Sequence, residues 1–521
     1  MKWSKFLNGF VFLIILAVFI SFPFSNLATG GSTQSDPEEI WHGDTVSETL
    51  ETDLVGPDGG TPETGQNPLN PVPDAVPLGV GYGSIYKGDV FKFYLNELNL
   101  ERSKIYVFWE DVEPQNNQYN FNYVDAYISQ LDPGDEAMIS VFTSSSWGAE
   151  GVGKGYPPLD YNEYYTFIYD LVSRTNGMVK YWQRDAEPFT PMHWAKEKCI
   201  EYVTTQMYFY QAVKAANPDA EIIGIGHSGC FSGDRPGGAP YIEYVMLHAQ
   251  DYFDMVDVRL YRNHYNIPVR IGWFRDKMVE FGYSKPIVTT EYGGPHPYQF
   301  DGFNEMIAII EAVTGGVRTS ENLVMAWAYL VDNLHLLTPQ MQMFFLGCSP
   351  ELEAKLERIQ TRDFVQRTLL VLASEVELLW YFNLKGRWHP QLGPHPFFGK
   401  LSLVSHNSTD RRLPFYTMQK MVQKIGGYVS NEFIDVGDPN LFLFRISREG
   451  QGDIYVAWEM RNIFEGETMP ASPFTWTFPW DSVRITDFFE RDEVVHIQPQ
   501  GDAIFDITDT PVFIEEYIAE P

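Results

Sequence analysis

The sequence predicts an α/β fold: a (β/α)8 TIM barrel followed by a small C-terminal antiparallel β-sandwich. Short apolar, β-branched segments alternate with amphipathic helical patterns, which favours a parallel barrel. Two of these segments end in a glutamate, Glu187 and Glu291, 104 positions apart. Because a barrel uses roughly 30 residues per βα unit, the two glutamates are predicted on strands 4 and 7. After Tyr428, short alternating strands separated by turns indicate the sandwich.

The barrel strands are predicted from apolar runs that are typical of strands buried on both faces. In order they are 77–82, 104–109, 136–142, 178–187, 221–226, 254–261, 285–291 and 376–382. Helical patterns lie between them, for example over 161–174, and a helix over 412–424 is predicted to close the barrel. Three more helical patterns, over 302–313, 321–334 and 351–372, fill a long interval between strands 7 and 8. An excursion at that end of a barrel usually shapes the substrate cleft.

Four segments are predicted along the chain. Residues 1–30 combine lysines, a short apolar run and small residues, which indicates a signal peptide or an uncleaved N-terminal anchor. Residues 31–75 are acidic and rich in Gly, Pro and Thr, which favours a disordered linker. The barrel is predicted over 76–425 and the β-sandwich over 426–521. The predicted strands of the sandwich are 441–446, 453–458, 474–478, 483–488, 494–497 and 511–515.

The charge of the chain excludes some classes of partner. Sixty-nine acidic side chains against 37 basic ones give a net charge of −32, spread along the sequence. Such a surface repels phosphate backbones and anionic lipids, so no nucleic-acid partner is expected. Membrane association is expected only if the N-terminal segment stays uncleaved. The three cysteines, Cys199, Cys230 and Cys348, provide neither a disulfide framework nor metal-ligand spacing, and no cofactor or metal is predicted.

Glu187 and Glu291 are the candidate catalytic residues. Strand 4 ends in Gln-Arg-Asp-Ala-Glu187-Pro, and strand 7 ends in Val-Thr-Thr-Glu291-Tyr-Gly-Gly-Pro. The C-terminal ends of the strands form the mouth of a barrel, where active sites lie. Two carboxylates that face each other there suit glycoside hydrolysis, and a retaining enzyme places them about 5–5.5 Å apart.

Several segments in a fixed order carry a family resemblance. They are Trp109–Pro114 followed by Tyr119-Asn-Phe121, Trp182–Pro188, Trp194 with Tyr202, Ala212–Pro218, Pro286–Gly294, Ile454–Trp458 and Pro511–Ile514. Together they resemble retaining β-glycosidases of glycoside hydrolase clan A, above all the β-xylosidase and α-L-iduronidase type of family 39. The resemblance covers residues 77–521. It implies that Glu187 is the acid/base, that Glu291 is the nucleophile, and that the substrate is an oligo- or polysaccharide.

Three positions depart from the pattern of that family. Ala186 stands where the family has an Asn that binds the sugar 2-hydroxyl. Lys104 replaces an Arg close to the nucleophile on strand 2, and Arg259 replaces a His on strand 6. All three are candidate substrate-binding positions. The loss of the Asn removes a hydrogen bond that strengthens in the transition state. Arg259 is the candidate to bind the 2-hydroxyl in its place, or to hold the carboxylate of an acidic sugar.

Three aromatic residues complete the predicted site. Trp109 at the end of strand 2 and Trp380 on strand 8 are candidates to stack on sugar rings, with packing in the barrel as the alternative for each. The resemblance implies that Tyr261 donates a hydrogen bond to the nucleophile, and the alternative is a buried tyrosine bonded to the backbone.

The main functional hypothesis is an exported retaining glycoside hydrolase that cleaves β-linked sugars. The alternative is a catalytically impaired TIM-barrel protein that binds carbohydrate, which the departures at Ala186, Lys104 and Arg259 favour and the two glutamates oppose. A third hypothesis, a barrel hydrolase for another bond, would require a metal site or a Ser/His pair, and the sequence contains no recognisable pattern for either.

Overall fold

The computed structural model describes most of the chain after residue 75. The described residues are 76–81, 91–185, 187, 194, 199–227, 238–317, 320–386, 388–389, 393–394, 398–405, 409–497 and 501–518. The predicted leader or anchor (1–30) and the predicted linker (31–75) lie outside them. Within the described ranges, no helix combines the length and the apolar character that crossing a membrane requires.

Eight parallel strands form a closed barrel in sequential order, so the predicted barrel is confirmed. The strands are β1 (Leu78–Gly81), β2 (Arg102–Phe108), β3 (Glu136–Phe142), β4 (Val179–Arg184), β5 (Glu221–His227), β6 (Met255–Val258), β7 (Ile287–Tyr292) and β8 (Leu379–Phe382). β8 pairs with β1 to close the ring, with Trp380 opposite Gly79 and Phe382 opposite Gly81. Every predicted strand overlaps an observed one.

Helices cover the outside of the barrel and fill the interval before β8. They are α1 (Lys92–Leu98), α2 (Trp109–Val112), α3 (Asn122–Ile128), α4 (Tyr161–Arg174), α5 (Cys199–Ala216), α6 (Gly238–His248), α7 (Ile267–Glu280), α8 (Phe303–Thr314), α9 (Ser320–Asp332), α10 (Pro339–Gln342), α11 (Pro350–Ala373) and α12 (Leu413–Lys424). Asp160 caps α4 and Ser349 caps α11, each through a side-chain oxygen that accepts a backbone N–H. A separate apolar cluster, which includes Phe303, Leu330 and Met341, holds α8, α9 and α10 together.

The C-terminal part is antiparallel, as predicted. Its strands are β11 (Tyr428–Ile434), β12 (Leu441–Arg448), β13 (Ile454–Glu459), β14 (Ser472–Thr477), β15 (Ser482–Thr486), β16 (Asp492–His496), β17 (Asp502–Ile507) and β18 (Val512–Glu516), and two short strands before them, β9 (Trp388–His389) and β10 (Gly393–Pro394), pair with each other. A six-stranded sheet has the order β11-β12-β13-β18-β15-β16, and β14 pairs with β17. Residues of both sheets, such as Leu443 and Phe505, share one apolar cluster.

The six-stranded sheet joins the two parts of the molecule. One of its faces packs against the two-stranded sheet, while Phe444, Val456, Trp458 and Phe513 on the other face belong to the apolar core of the barrel. The contact is made through α11, where the Asn431 side chain donates to the Leu369 carbonyl at 2.7 Å. The barrel and the C-terminal sheets therefore share a continuous core.

Candidate active site

The interior of the barrel is layered, and the layers determine which side chains reach the mouth. Side chains of a strand alternate between its two faces, so every second residue points inward. The lowest layer is apolar and contains Met138, Tyr181, Ile223, Val288 and Trp380. The upper layer contains Tyr106, Phe108, Phe142, Tyr261 and Phe382. Between these layers lies a polar group of side chains that supports Glu291.

A bulge in β7 brings Glu291 to this polar group. β7 advances three residues, from Thr289 to Tyr292, while its partner β8 advances two, from Leu379 to Tyr381. The extra residue breaks the strict alternation, so Thr290 and Glu291 both contact the ammonium group of Lys104. Bulges beside active sites commonly redirect a side chain in this way.

Four side chains hold the Glu291 carboxylate. Oε1 accepts from the Lys104 ammonium group at 3.1 Å and from the Tyr106 hydroxyl, and it forms an ion pair with the Arg259 guanidinium. Oε2 accepts from the Tyr261 hydroxyl at 2.7 Å. The Lys104 and Arg259 side chains are 0% exposed and that of Glu291 is 10% exposed. The predicted bond from Tyr261 to this carboxylate is therefore present in the structure.

The electrostatic balance at Glu291 favours the ionised form. Burial by itself would raise the pKa of this carboxyl group, but the charges of Arg259 and Lys104 and the two tyrosine hydroxyls outweigh it. The net pKa of Glu291 lies well below its usual range. An ionised carboxylate at the C-terminal end of a barrel strand can act as a nucleophile.

The two cations respond differently to their surroundings. Burial and the neighbouring Arg259 charge lower the pKa of Lys104 to about 8, although Glu291 opposes this. For Arg259, burial is outweighed by Asp257 and Glu291, which raise its pKa. Arg259 therefore stays charged throughout, while Lys104 can lose its proton in mildly alkaline solution.

A second group of polar side chains orients the cations from below. Asp257 Oδ2 pairs with Arg259 Nε at 3.0 Å and accepts from Gln183 Nε2 at 2.7 Å and from the Thr290 hydroxyl at 2.8 Å. Gln183 Oε1 in turn accepts from Arg259 at 3.2 Å and from Ser140 at 2.9 Å. Because Asp257 and Gln183 hold Nε and Nη2 of the Arg259 guanidinium, Nη1 is the nitrogen that pairs with Glu291.

Glu187 follows the end of β4 and is 7% exposed. Two residues earlier, Asp185 accepts from the Thr143 backbone N–H at 2.9 Å and from its hydroxyl at 3.0 Å, which anchors this end of the strand. Burial raises the pKa of Tyr106 and Tyr261 well above the usual range, and the Glu187 charge adds to both shifts. Glu187 thus acts on the same hydroxyls that bind Glu291. A carboxylate separation of about 5–5.5 Å remains a prediction.

Two predicted stacking residues lie elsewhere. Trp109 is 0% exposed and packs outside the barrel wall, with Phe167 at a centroid distance of 5.2 Å and its indole N–H bonded to Glu113. Trp380 is also 0% exposed and belongs to the lowest interior layer. The interpretation of both as sugar-stacking residues is corrected, because neither ring has an open face. For Trp380 the reason is register: Phe382, two residues later, occupies the upper layer.

Two departures from the family pattern, Lys104 and Arg259, are both buried beneath the nucleophile. Arg259 is committed to Asp257, Glu291 and Gln183, so the expectation that it binds a 2-hydroxyl or an acidic sugar directly is corrected. Its guanidinium instead forms an ion pair with the Glu291 carboxylate. Ala186, the third departure, lies outside the described residues.

Three contributors to the site were not predicted from the sequence: Tyr106, Asp257 and Gln183. The first two were within reach of the alternation rule, because Tyr106 is two residues after Lys104 and Asp257 is two residues before Arg259. Gln183 carried no comparable signal. Among the described residues, no group of three or more His, Cys, Asp and Glu side chains could hold a metal ion.

Comparison with known proteins supports the architecture. Neither the family models nor the curated protein sequences match this chain. A family 39 glycoside hydrolase from the gut symbiont Bacteroides cellulosilyticus WH2 matches over 86% of this chain and 83% of its own, with a TM-score of 0.59 and 14% identity. A monomeric β-xylosidase from Caulobacter crescentus CB15 matches over 86% and 98%, with a TM-score of 0.54 and 12% identity.

The chain has the fold of a family 39 glycoside hydrolase. A family 39 enzyme from Xanthomonas axonopodis pv. citri matches in the same way, over 84% of this chain and 93% of its own, with a TM-score of 0.52 and 12% identity. The resemblance inferred from the ordered sequence segments is confirmed at the level of the fold. At this identity the site chemistry is argued from the side chains of this chain.

Proposed function

We propose that this protein is an exported retaining glycoside hydrolase that acts on β-linked oligo- or polysaccharides. The observation that carries the proposal is the set of contacts around Glu291, in which two buried cations and two tyrosine hydroxyls hold a carboxylate ionised at the mouth of the barrel. Glu187 follows the end of β4 in the same region. Similarity to the fold of known glycoside hydrolases supports the substrate class.

In the proposed reaction, Glu291 attacks the anomeric carbon while Glu187 donates a proton to the leaving oxygen. The C–O bond to the leaving group breaks as the bond to Glu291 Oε forms. Glu187, now a carboxylate, then removes a proton from water, which displaces Glu291 and releases the sugar with retained configuration. Lys104 and Arg259 stabilise the carboxylate as it departs in the second step.

Azide rescue tests the two roles. Glu291→Ala cannot form the intermediate, and azide should restore activity by giving the glycosyl azide of inverted configuration. Glu187→Ala should react best with activated leaving groups, and azide should give the product of retained configuration. Aryl β-glycosides provide the readout, with NMR of the anomeric proton. Reversed products would exchange the two assignments, and no turnover by wild type on any β-glycoside would overturn the proposal.

A catalytically impaired carbohydrate-binding protein is the second candidate, and Ala186 is the observation that favours it. The resemblance places an Asn there, and a methyl group cannot bind the sugar 2-hydroxyl. If the protein is a working enzyme, Arg259→Ala should reduce activity far more than Ala186→Asn changes it, because Arg259 polarises Glu291. An inert wild type that gains turnover from Ala186→Asn would establish the binding role instead.

Export is proposed from residues 1–30 alone. Two lysines precede a short apolar run and small residues, as in a signal peptide. Expression with and without this segment, followed by fractionation and N-terminal sequencing, tests whether it directs export and whether it is removed. Retention of the full-length chain in the membrane fraction would assign it as an anchor.

A further inference from the structure

A large cleft lies between the barrel and the C-terminal sheets. Its walls come from the segment after β6 (262–266), the segment after β7 (298–305), the middle of α11 (359–366), the loop 460–463 and Asp509, and its volume is about 1160 Å³. We call it the interdomain cleft. Glu187, Glu291 and the four side chains that bind Glu291 are not part of its walls among the described residues. Its lining therefore shares none of these residues, although Arg262 of the lining directly follows Tyr261 in the chain.

The walls of the interdomain cleft are polar without an excess of either charge. Four arginines are balanced by four acids, which are Arg262, Arg270, Arg362, Arg461, Asp301, Glu305, Asp363 and Asp509. Several of these charges pair within the protein: Asp363 with Arg367 at 2.7 Å, and Arg362 with Asp509 at 3.0 Å. Burial lowers the pKa of His264, so this lining residue stays neutral near pH 7. The eight charges sum to zero, so the lining as a whole favours neither an anionic nor a cationic ligand.

Uncharged hydrogen-bonding groups dominate the rest of the lining. Six amide side chains contribute, namely Asn263, Asn266, Gln299, Asn304, Gln366 and Asn462. An amide carries both donors and acceptors, which matches a ligand whose groups also do both. Four of the six use one end within the protein: Asn263, Gln299 and Asn462 accept from backbone N–H groups, and Gln366 donates to a backbone carbonyl. Tyr265, Tyr298, Phe300 and Phe303 add aromatic surface. Amides beside aromatic rings suit the hydroxyls and the C–H faces of a sugar.

Two side chains of the wall, Arg362 and Asp509, each carry a buried atom without a hydrogen-bond partner among the described residues. The ion pair between Arg362 and Asp509 uses Nε and Oδ2, and these side chains are only 5% and 7% exposed. The remaining Arg362 Nη2 and Asp509 Oδ1 have no hydrogen-bond partner among the described residues. A buried polar atom without a partner is destabilising. A ligand hydroxyl, which both accepts and donates, would satisfy such atoms only after the Arg362 or Asp509 side chain moves to expose them, because both atoms are buried.

We propose that the interdomain cleft binds a neutral oligosaccharide. Its volume exceeds the roughly 300–1,000 Å³ of typical small-molecule sites, so it has room for several sugar units. The site would hold a polysaccharide segment beside the barrel. The proposal does not depend on catalysis at Glu291, because no residue of that site contributes to the cleft.

Calorimetric titration tests this site. The background is Glu291→Gln, which prevents turnover, and the probes are xylohexaose, cellohexaose and mannohexaose. Asn304→Trp places an indole at an exposed lining position in the first turn of α8. Ala308→Trp is the matched control, since Ala308 is exposed on the same helix and outside the lining. For at least one hexasaccharide, the affinity at one site should fall tenfold or more in Asn304→Trp. Ala308→Trp should retain the affinity of the background protein.

Three results would overturn the proposal. The first is that no hexasaccharide binds at a site sensitive to Asn304→Trp. The second is that the two tryptophan variants bind the probes alike. The third is that only an anionic probe such as hexagalacturonate binds at that site. Thermal unfolding of both variants confirms that they fold. If Glu291 and Glu187 prove to be inert but the Asn304-sensitive site remains, the proposed function fails and the interdomain cleft stands.

Discussion

Lys104 lies next to the nucleophile and carries a titratable charge. Its proton is lost as the pH rises through about 8, and Glu291 then keeps Arg259 as its only adjacent cation among the described residues. With less positive charge nearby, Glu291 becomes a poorer leaving group, and breakdown of the glycosyl-enzyme slows. For activated aryl glycosides, where this step limits kcat, kcat should fall from a pH below 8, because the esterified Glu291 no longer raises the pKa of Lys104. Glu187 acts as a base in that step, so its deprotonation does not produce the decline.

Lys104→Arg provides the control for this prediction. An arginine remains protonated, so the alkaline decline of kcat should move upward by at least one pH unit. Lys104→Met removes the charge at every pH and should lower kcat by about 100-fold, the usual effect of losing one preorganised donor to a reacting oxygen. An unchanged alkaline decline in Lys104→Arg would show that another group titrates there.

The two tyrosines at Glu291 bind different oxygens. Tyr261 donates to Oε2 at 2.7 Å, while Tyr106 donates to Oε1, which also contacts both cations. Among the hydrogen bonds of the described residues, only that from Tyr261 reaches Oε2, so the loss of the Tyr261 hydroxyl should lower activity more than the loss of the Tyr106 hydroxyl. A hydrogen bond to a charged group contributes about 1.5–3 kcal/mol, so Tyr261→Phe should lower kcat/KM by roughly 10- to 150-fold. Tyr106→Phe should cost less, and equal losses would contradict this reasoning.

At the scale of elements, Glu467 fastens the C-terminal sheets to α11. Its carboxylate binds Arg358 at 3.0 Å and Arg362 at 2.9 Å. Burial opposes ionisation, but these bonds outweigh it and lower the pKa of Glu467 to about 2. The folded state thus favours the ionised form, which stabilises it above the unfolded pKa of about 4.5. That contribution is lost as the pH falls from there toward 2.

Urea unfolding of Glu467→Gln measures this contribution. At pH 6 the variant should be less stable than wild type by about 1.5–3 kcal/mol, since two charged hydrogen bonds are weakened. The difference should narrow at pH 3, because wild type has then lost part of the same advantage. Glu465→Gln is the matched control on the same loop, where the side chain is exposed, and it should match wild type at both pH values. If Glu467→Gln were less stable than wild type by the same amount at both pH values, the loss of stability would come from packing rather than from the charge.

The bounds of helices and strands were predicted best where the spacing of apolar residues determines them. α4 has the predicted bounds, and β3 does as well. β11 was missed because it is a half-exposed edge strand that carries Ser430, Asn431 and Glu432. β17 was also not predicted, although it alternates buried and exposed residues.

The candidate site was only partly predictable. Glu291 was identified from the apolar run before it. Its inward direction depends on the bulge in β7, and no sequence pattern predicts that bulge. The partnership of Tyr106 with Glu291 joins residues 185 positions apart, and only the closed barrel brings them together. Trp380 lies in the lowest interior layer, whereas Phe382, two residues later on the same strand, lies in the upper layer. The sequence does not show which of the two positions reaches the mouth of the barrel.

At the scale of the whole molecule, the barrel should not fold without the C-terminal sheets. Phe444, Val456, Trp458 and Phe513 belong to the barrel core. Burial of each such side chain contributes about 1.5–3 kcal/mol. Their sum is comparable with the roughly 5–15 kcal/mol that stabilises a domain. Residues 76–425 should therefore be insoluble or lack a cooperative thermal transition, whereas 76–518 should unfold in a single one. A soluble fragment with an unchanged melting temperature would refute this.

α11 connects distant parts of the molecule along its 24 residues. Arg367 donates to the carbonyl oxygens of Leu260 and Tyr261, at the base of the tyrosine that binds Glu291. The preceding residue, Gln366, donates to the Asp509 carbonyl in the C-terminal part. In recombination between related genes, the segment that should be exchanged as a whole therefore begins before Ser349 rather than at residue 426. A crossover between β8 and the first C-terminal strand would pair α11 with foreign sheets, and natural or engineered exchanges should instead carry α11, β8 and the sheets together.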